Sequence, residues 1–261
     1  MILFFVVSFL ASIIGAICGI GGGVIMKPVL DLCGLASISA ISFLSGCTVL
    51  SMSGYSVAKN LSSGESCVDM KTSTPLAVGA AVGGVIGKQM FSAVKALFAN
   101  PDTVGSVQAI CLALLIAGTL CYTVRKDRIR TLHVATLPAC LGIGLALGIL
   151  SSFLGIGGGP FNLVVLFYFF SMETKTAAQN SLYIILFSQT ASLLTALITH
   201  AVPEFAWPAL ILMTAGGIGG GMVGRKLNRR LDNAAGGKLF MGLMAVMILI
   251  CVLNAVRYSG G

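Results

Sequence analysis

Charge is scarce in this chain. Asp, Glu, Lys and Arg make up 9% of 261 residues, where ordinary soluble domains carry about 25%. The 8 acids all lie in or beside short polar links, so no carboxylate is available at a membrane centre to bind a cation or relay protons. Histidine is scarcer still, with only His133 and His200, both near the ends of apolar stretches. The 8 cysteines, Cys18 and Cys47 among them, are scattered without CxxC pairing. Neither a zinc site nor a disulfide framework follows from them, and no metal, haem or other cofactor is expected.

What fills the chain instead is apolar: 57% of residues are hydrophobic, and the mean hydropathy is +1.00. About eight spans of about 20 residues need about 160 apolar-dominated positions, so the length fits one membrane domain, residues 1–261, with no room for a soluble catalytic one. The apolar stretches run approximately over 2–33 (interrupted), 36–58, 73–98, 104–124, 132–170 (interrupted), 176–199, 205–224 and 236–256. The expected fold is an all-α, polytopic transmembrane helical bundle embedded in the lipid bilayer. The first stretch lacks a basic leader segment and reads as a retained helix and not as a cleaved signal. A net charge of +8 would suggest nucleic acid in a soluble protein, but here the basic residues sit between spans, where they fix orientation.

Self-comparison shows a duplication. Gly19-Ile20-Gly21-Gly22-Gly23 recurs as Gly155-Ile156-Gly157-Gly158-Gly159, and Gly83-Gly84-Val85-Ile86-Gly87-Lys88 is echoed, after a one-residue slip, by Gly220-Gly221-Met222-Val223-Gly224-Arg225. Residues 1–125 and 131–258 are the expected repeats. Taking the basic links at 125–130 and 225–230 as cytoplasmic, and counting spans back from the second, puts 175 inside, although the stretch 132–170 also began inside. That stretch must reverse at its glycines. The same count places 59–71 inside and Asp31 outside, so two hairpins entering from opposite sides, an inverted repeat, are expected.

Consecutive glycines in a hydrocarbon layer loosen the helix and free N–H groups that lipid cannot satisfy. Each run is followed by a short apolar segment whose helix N-terminus, with exposed amides and the positive end of the dipole, favours an anion. Gly21, Gly22, Gly23 and Val24, with Gly157, Gly158 and Gly159, are therefore the candidate substrate-binding backbone. Lys27 either adds positive charge there or snorkels to the interface. Ser45 and Ser181 match at the spacing of the glycine runs, and the buried polar run containing Asn180 and Ser181 suggests a wet chamber. Gly83-xxx-Gly87 and Gly220-xxx-Gly224 read as close-packing motifs. Soluble nucleotide motifs fail: Val24 occupies the last glycine position of a GxGxxG begun at Gly19, and Gly87-Lys88 lacks the rest of a P-loop.

On the paired glycine motifs, Gly19 to Leu30 above all, the chain resembles the TauE/SafE family of sulfite exporters over nearly its whole length. That resemblance implies a permease of the bacterial cytoplasmic membrane handling small sulfur-containing anions such as sulfite or organosulfonates. The second motif departs from the first, with Pro160 directly after the glycines and Val164 in place of Pro28. Alternating access is the expected mode. An anion channel of the same fold, and a sulfur relay using Cys18 or Cys47, are the competing readings, and an enzyme is not expected, since no base, metal site or partnered nucleophile is present.

Overall fold

The computed structural model describes residues 1–34, 36–63, 67–97, 101–154 and 159–259. Among these residues there are ten α-helices and no strand: α1 (Ile2–Cys18), α2 (Gly23–Leu32), α3 (Ile38–Ser62), α4 (Met70–Leu97), α5 (Pro101–Arg125), α6 (Leu137–Phe153), α7 (Gly159–Phe170), α8 (Thr174–Ile198), α9 (Trp207–Arg230) and α10 (Asn233–Ser259). Eight apolar stretches become ten helices because each interrupted stretch supplies two. At 1.5 Å per residue, the 10 residues of α2 reach about 15 Å and the 12 of α7 about 18 Å. Neither crosses a hydrocarbon core of about 30 Å. By contrast Ser39–Ser62, Thr174–Ile198, Trp207–Arg230 and Ala234–Leu253 are each long and apolar enough to do so.

Local chemistry sets the breaks. Gly19 closes α1 in the left-handed conformation at φ 73°, its N–H donating to Gly15 O, the usual role of glycine just past a helix end. Gly21 and Gly22 follow at φ 79° and 65°, and α2 starts from Gly22, whose carbonyl accepts from Ile25 and Met26 N–H. Ser37 caps α3 by accepting from Ala40 N–H at 3.3 Å. Pro138 and Pro208 open α6 and α9 in the first turn, where a missing N–H costs nothing.

Both interrupted stretches reverse. A Cβ at Gly22 would lie 2.9 Å from Ala11 O, so residue 22 has folded back beside α1; a continuous helix would hold residues 11 and 22 about 16 Å apart. In the second stretch Leu132 N–H donates to Tyr168 O at 2.7 Å and Val134 N–H to Phe169 O at 2.9 Å. Ser171 Oγ adds a bond to Leu132 O at 3.0 Å. The start and end of that stretch are thus joined on one face of the bundle. The chain order places three long helices, α3 to α5, between the two hairpins, so the α1–α2 hairpin opens toward one end of the bundle and the α6–α7 hairpin toward the other. The links share the α6–α7 face with most of the basic residues: Arg225 bonds to Lys59, Asn60 and Ser63, Lys126 to Thr174, and Ser171 to Thr131.

The packing is reciprocal. α4 packs on α6 as α9 packs on α1; α4 and α9 lie against α8 and α3 respectively; α5 meets α7 as α10 meets α2; α3 crosses α8, and α5 crosses α10. Exchanging α1–α5 with α6–α10 maps each of these contacts onto another in the set. Two glycine stripes make the closest seams. A Cβ at Gly79, Gly83 or Gly87 would meet the carbonyl oxygens of Leu141, Leu145 and Ile149 on α6, and one at Gly216, Gly220 or Gly224 those of Phe5, Phe9 and Ile13 on α1. The small residues let the backbones touch, as the close-packing motif requires. These seams leave α3 and α8 in the middle, framed by the two hairpins.

Candidate substrate pathway

The first glycine turn sits at the crossing of α3 and α8. A Cβ at Gly21 would lie 3.1 Å from Val49 and 3.3 Å from Ile185, and one at Gly23 would lie 2.9 Å from Val49, while Gly19 abuts the Ala178 backbone. Val49 and Ile185 are each halfway along their helices, so the turn lies near mid-depth. At three of these positions the space is closed or φ is positive, and glycine is the residue that fits. Gly23 N–H donates to Gly21 O, whereas the N–H groups of Gly21, Gly22 and Val24 find no acceptor among the described residues. They are buried donors held open at a half-helix start. Lys27 follows one turn later, half-buried, and one turn before Asp31, with which it interacts through charge. In the second hairpin, Gly157 and Gly158 lie outside the described residues; Gly159 is buried at the start of α7.

A cavity of about 360 Å³ reaches toward this turn from the basic face, lined by Ala16, Ser56, Asn60, Lys175, Ala178, Gln179, Leu182, Arg225, Asn228 and Arg229. That volume equals about a dozen waters at about 30 Å³ each, enough for a small hydrated anion. Three of the lining residues are cations and none is an acid. Its inner wall includes Ala178, the residue that backs Gly19. Arg225 is held in place by α3: its Nε donates to Asn60 Oδ1 at 2.7 Å, and Nη2 donates to Ser63 Oγ at 3.0 Å and to Lys59 O at 3.3 Å. A guanidinium so oriented offers a planar donor array suited to oxyanions. Ser56 Oγ is buried in this wall without a hydrogen-bond partner.

The polar residues of α3 and α8 behave in different ways. Ser45 Oγ donates back to Ser42 O at 3.1 Å and Thr48 Oγ1 to Leu44 O at 2.8 Å, satisfying themselves within their own helix. Ser181 is fully buried, and among the described residues its Oγ has no partner; it lies between Ala178 and Ile185 on the face of α8 that meets Gly19 and Gly21. Asn180, fully buried as well, is committed elsewhere. Its Nδ2 donates to Thr176 O at 2.7 Å and Cys67 O at 3.1 Å, and its Oδ1 accepts from Asp69 N–H at 3.0 Å and from Ser73 Oγ. Asn180 thus pins the start of α4 to α8. Among the described residues no Asp or Glu is buried.

Gly21, Gly22, Gly23 and Val24 thus lie at mid-depth, with Gly19 and Gly21 against the face of α8 that also carries Ser181 and with Lys27 one turn along, while Ser45 and Asn180 bond within the scaffold. Sequence reasoning passed over Arg225, Lys175, Ser56 and Asn60. Arg225 carried a signal: it continues the row Gly217, Gly221 that faces Thr48 and Met52 of α3, so it is aimed inward even though it also marks orientation.

The structure is thus a multi-pass helical bundle with two half-helix hairpins and a cationic cavity lined by α1, α3, α8 and α9. Residues 4–251 match the family described as sulfite exporter TauE/SafE, and the chain belongs to that family. No curated protein and no solved structure matches the chain.

Proposed function

We propose that this permease exports a small sulfur oxyanion, sulfite or an organosulfonate, across the bacterial cytoplasmic membrane by alternating access, with residues 1–125 and 131–258 acting as inverted repeats. The observation that carries this reading is the cavity of about 360 Å³ on the basic face, lined by Lys175, Arg225 and Arg229; we take that face as cytoplasmic because the basic links gather there. An anion enters there by electrostatic attraction, meets Ser56, and reaches the open amides after Gly21 and the hydroxyl of Ser181. The run Gly157-Gly158-Gly159 of the other hairpin is assigned to the same site, but Pro160 directly after it has no N–H to offer, so the first hairpin supplies most of the donors, and Lys27 adds charge. The substrate and the bilayer are the partners this requires; no cofactor takes part.

Sulfite flux into proteoliposomes tests it. Wild-type flux should saturate with concentration. Arg225→Gln should raise KM about tenfold, as expected from losing about 1.5 kcal/mol of charge-assisted hydrogen bonding, and Arg225→Lys should recover part of it. Flux that rises without saturation would favour the channel reading. An unchanged KM in Arg225→Gln would remove the cavity from the pathway.

A further inference from the structure

Lys88 of α4 stands where Arg225 stands in α9. Each ends a glycine stripe whose last member touches a carbonyl of the opposite half, Gly87 on Ile149 O and Gly224 on Ile13 O. Each then reaches the central pair: Arg225 bonds to Asn60, Lys59 and Ser63 of α3 and its end, and Lys88 Nζ to Ser192 O of α8 at 3.4 Å. One turn earlier Gly221 faces Met52 and Ser56, while a Cβ at Gly84 would lie 3.2 Å from Ser152 Oγ and 3.5 Å from Ser188 Oγ. At the spacing of the glycine runs, Ser192 is the counterpart of Ser56, and Ser152 of Ala16. Because α4 leaves the basic face and α9 returns to it, Lys88 lies toward the opposite face. There it is half-buried one turn past the Ser152 and Ser188 hydroxyls that face Gly84, and among the described residues its ammonium meets a carbonyl and no carboxylate. A lysine kept that deep in a span is costly unless it faces a polar path.

We propose that Lys88 is the oxyanion-binding cation of the opposite-facing state, lining an exit chamber with Ser152 and Ser192 as Arg225 lines the present cavity with Ala16 and Ser56. This rests on the export reading above and extends it to the release site. When the halves exchange conformations, the space between α1, α3, α8 and α9 closes, and its counterpart opens between α6, α8, α3 and α4. The two cations differ in kind. Arg225 is a planar donor fork held in place, whereas Lys88 is a flexible point charge. The two faces should therefore differ in KM, while the direction of net flux is set by the gradient that drives it.

Sulfite flux is measured in proteoliposomes of known orientation, with sulfite supplied to either face. Lys88→Gln should raise KM about tenfold for sulfite supplied opposite the basic links and less than twofold on the basic face. Lys88→Arg should restore it, and Arg225→Gln should show the reverse pattern. Equal effects on both faces, or none, overturn the proposal. A second measurement does not depend on flux: Lys88→Cys, in a chain whose exposed Cys33, Cys67 and Cys121 are replaced by serine, is treated with a membrane-impermeant maleimide. Labelling from the face opposite the basic links, slowed by an alkylsulfonate, which unlike sulfite does not add to the maleimide, is expected; labelling from the basic face alone, or none, overturns the proposal even with flux intact. If the wild type carries no sulfite but position 88 still labels from that face, the two-faced pathway is supported and only sulfite as its cargo is refuted.

Discussion

Replacing Asn180 by alanine separates a scaffold role from a substrate role at this buried amide. Asn180→Ala removes the bonds to Thr176 O, Cys67 O, Asp69 N–H and Ser73 Oγ. Thr176 O keeps its helical partner, so its loss matters little. Cys67 and Asp69 are exposed, and water can replace the lost amide there, whereas Ser73 is fully buried. At about 1 kcal/mol for each of the three remaining bonds, the cost is roughly 3 kcal/mol. On the scale of about 2–4 °C per kcal/mol for chains of about 150–250 residues, the thermal midpoint of the purified protein should fall by about 6–12 °C. The midpoint is followed by intrinsic fluorescence or by aggregation in detergent, beside sulfite KM in proteoliposomes at a temperature where the variant is folded. The expected result is a lowered midpoint with KM within twofold of wild type, because the amide holds the start of α4 and does not face the cavity. A wild-type midpoint with a raised KM would refute this assignment and return Asn180 to the substrate.

The glycine seams predict a sharp contrast. Gly220→Ala places a methyl group on Phe9 O and 2.8 Å from Ser12 Cβ and should destabilise by about 1–3 kcal/mol, whereas Gly118→Ala, with nothing within 4 Å, should be neutral or stabilising; thermal denaturation of both distinguishes them. Gly22→Ala combines φ 65° with a Cβ 2.9 Å from Ala11 O, so it should cost at least the roughly 1–2 kcal/mol of a left-handed L-residue and lower the yield of folded protein in a detergent-solubilisation assay. Replacing Cys18 and Cys47 together by serine should leave sulfite flux within about twofold of wild type; complete loss of flux from a protein that still reaches the membrane would revive the sulfur-relay reading.

Much of the fold was legible because lipid enforces simple rules. The apolar stretches, their interruption at the glycine runs and the bias of basic links toward one face follow from hydropathy and backbone chemistry, and the reversal of 132–170 follows from counting crossings. The assignment of Gly83-xxx-Gly87 and Gly220-xxx-Gly224 to packing was equally readable, since small residues four apart form one helix face. The candidate site was read less fully. Ser45 and Ser181 are equivalent in the repeat, yet Ser45 Oγ bonds to Ser42 O while Ser181 Oγ has no partner. No spacing rule separates a serine that bonds back to its own helix from one that faces a turn of another helix.

By itself the sequence determined that this is a multi-pass helical protein of the sulfite exporter family and that its first apolar stretch breaks at Gly19 to Gly22, because these depend on local composition and chain order. Only the tertiary structure decided that Gly19 to Gly23 wedge between Val49 and Ile185, that Asn180 serves the scaffold, and that Arg225 turns from an orientation signal into a cavity wall. The physical reason is that a side chain's role here is set by what another helix presents to it: Asp69 and Cys67, which Asn180 holds, and Asn60, which holds Arg225, lie more than a hundred residues away along the chain.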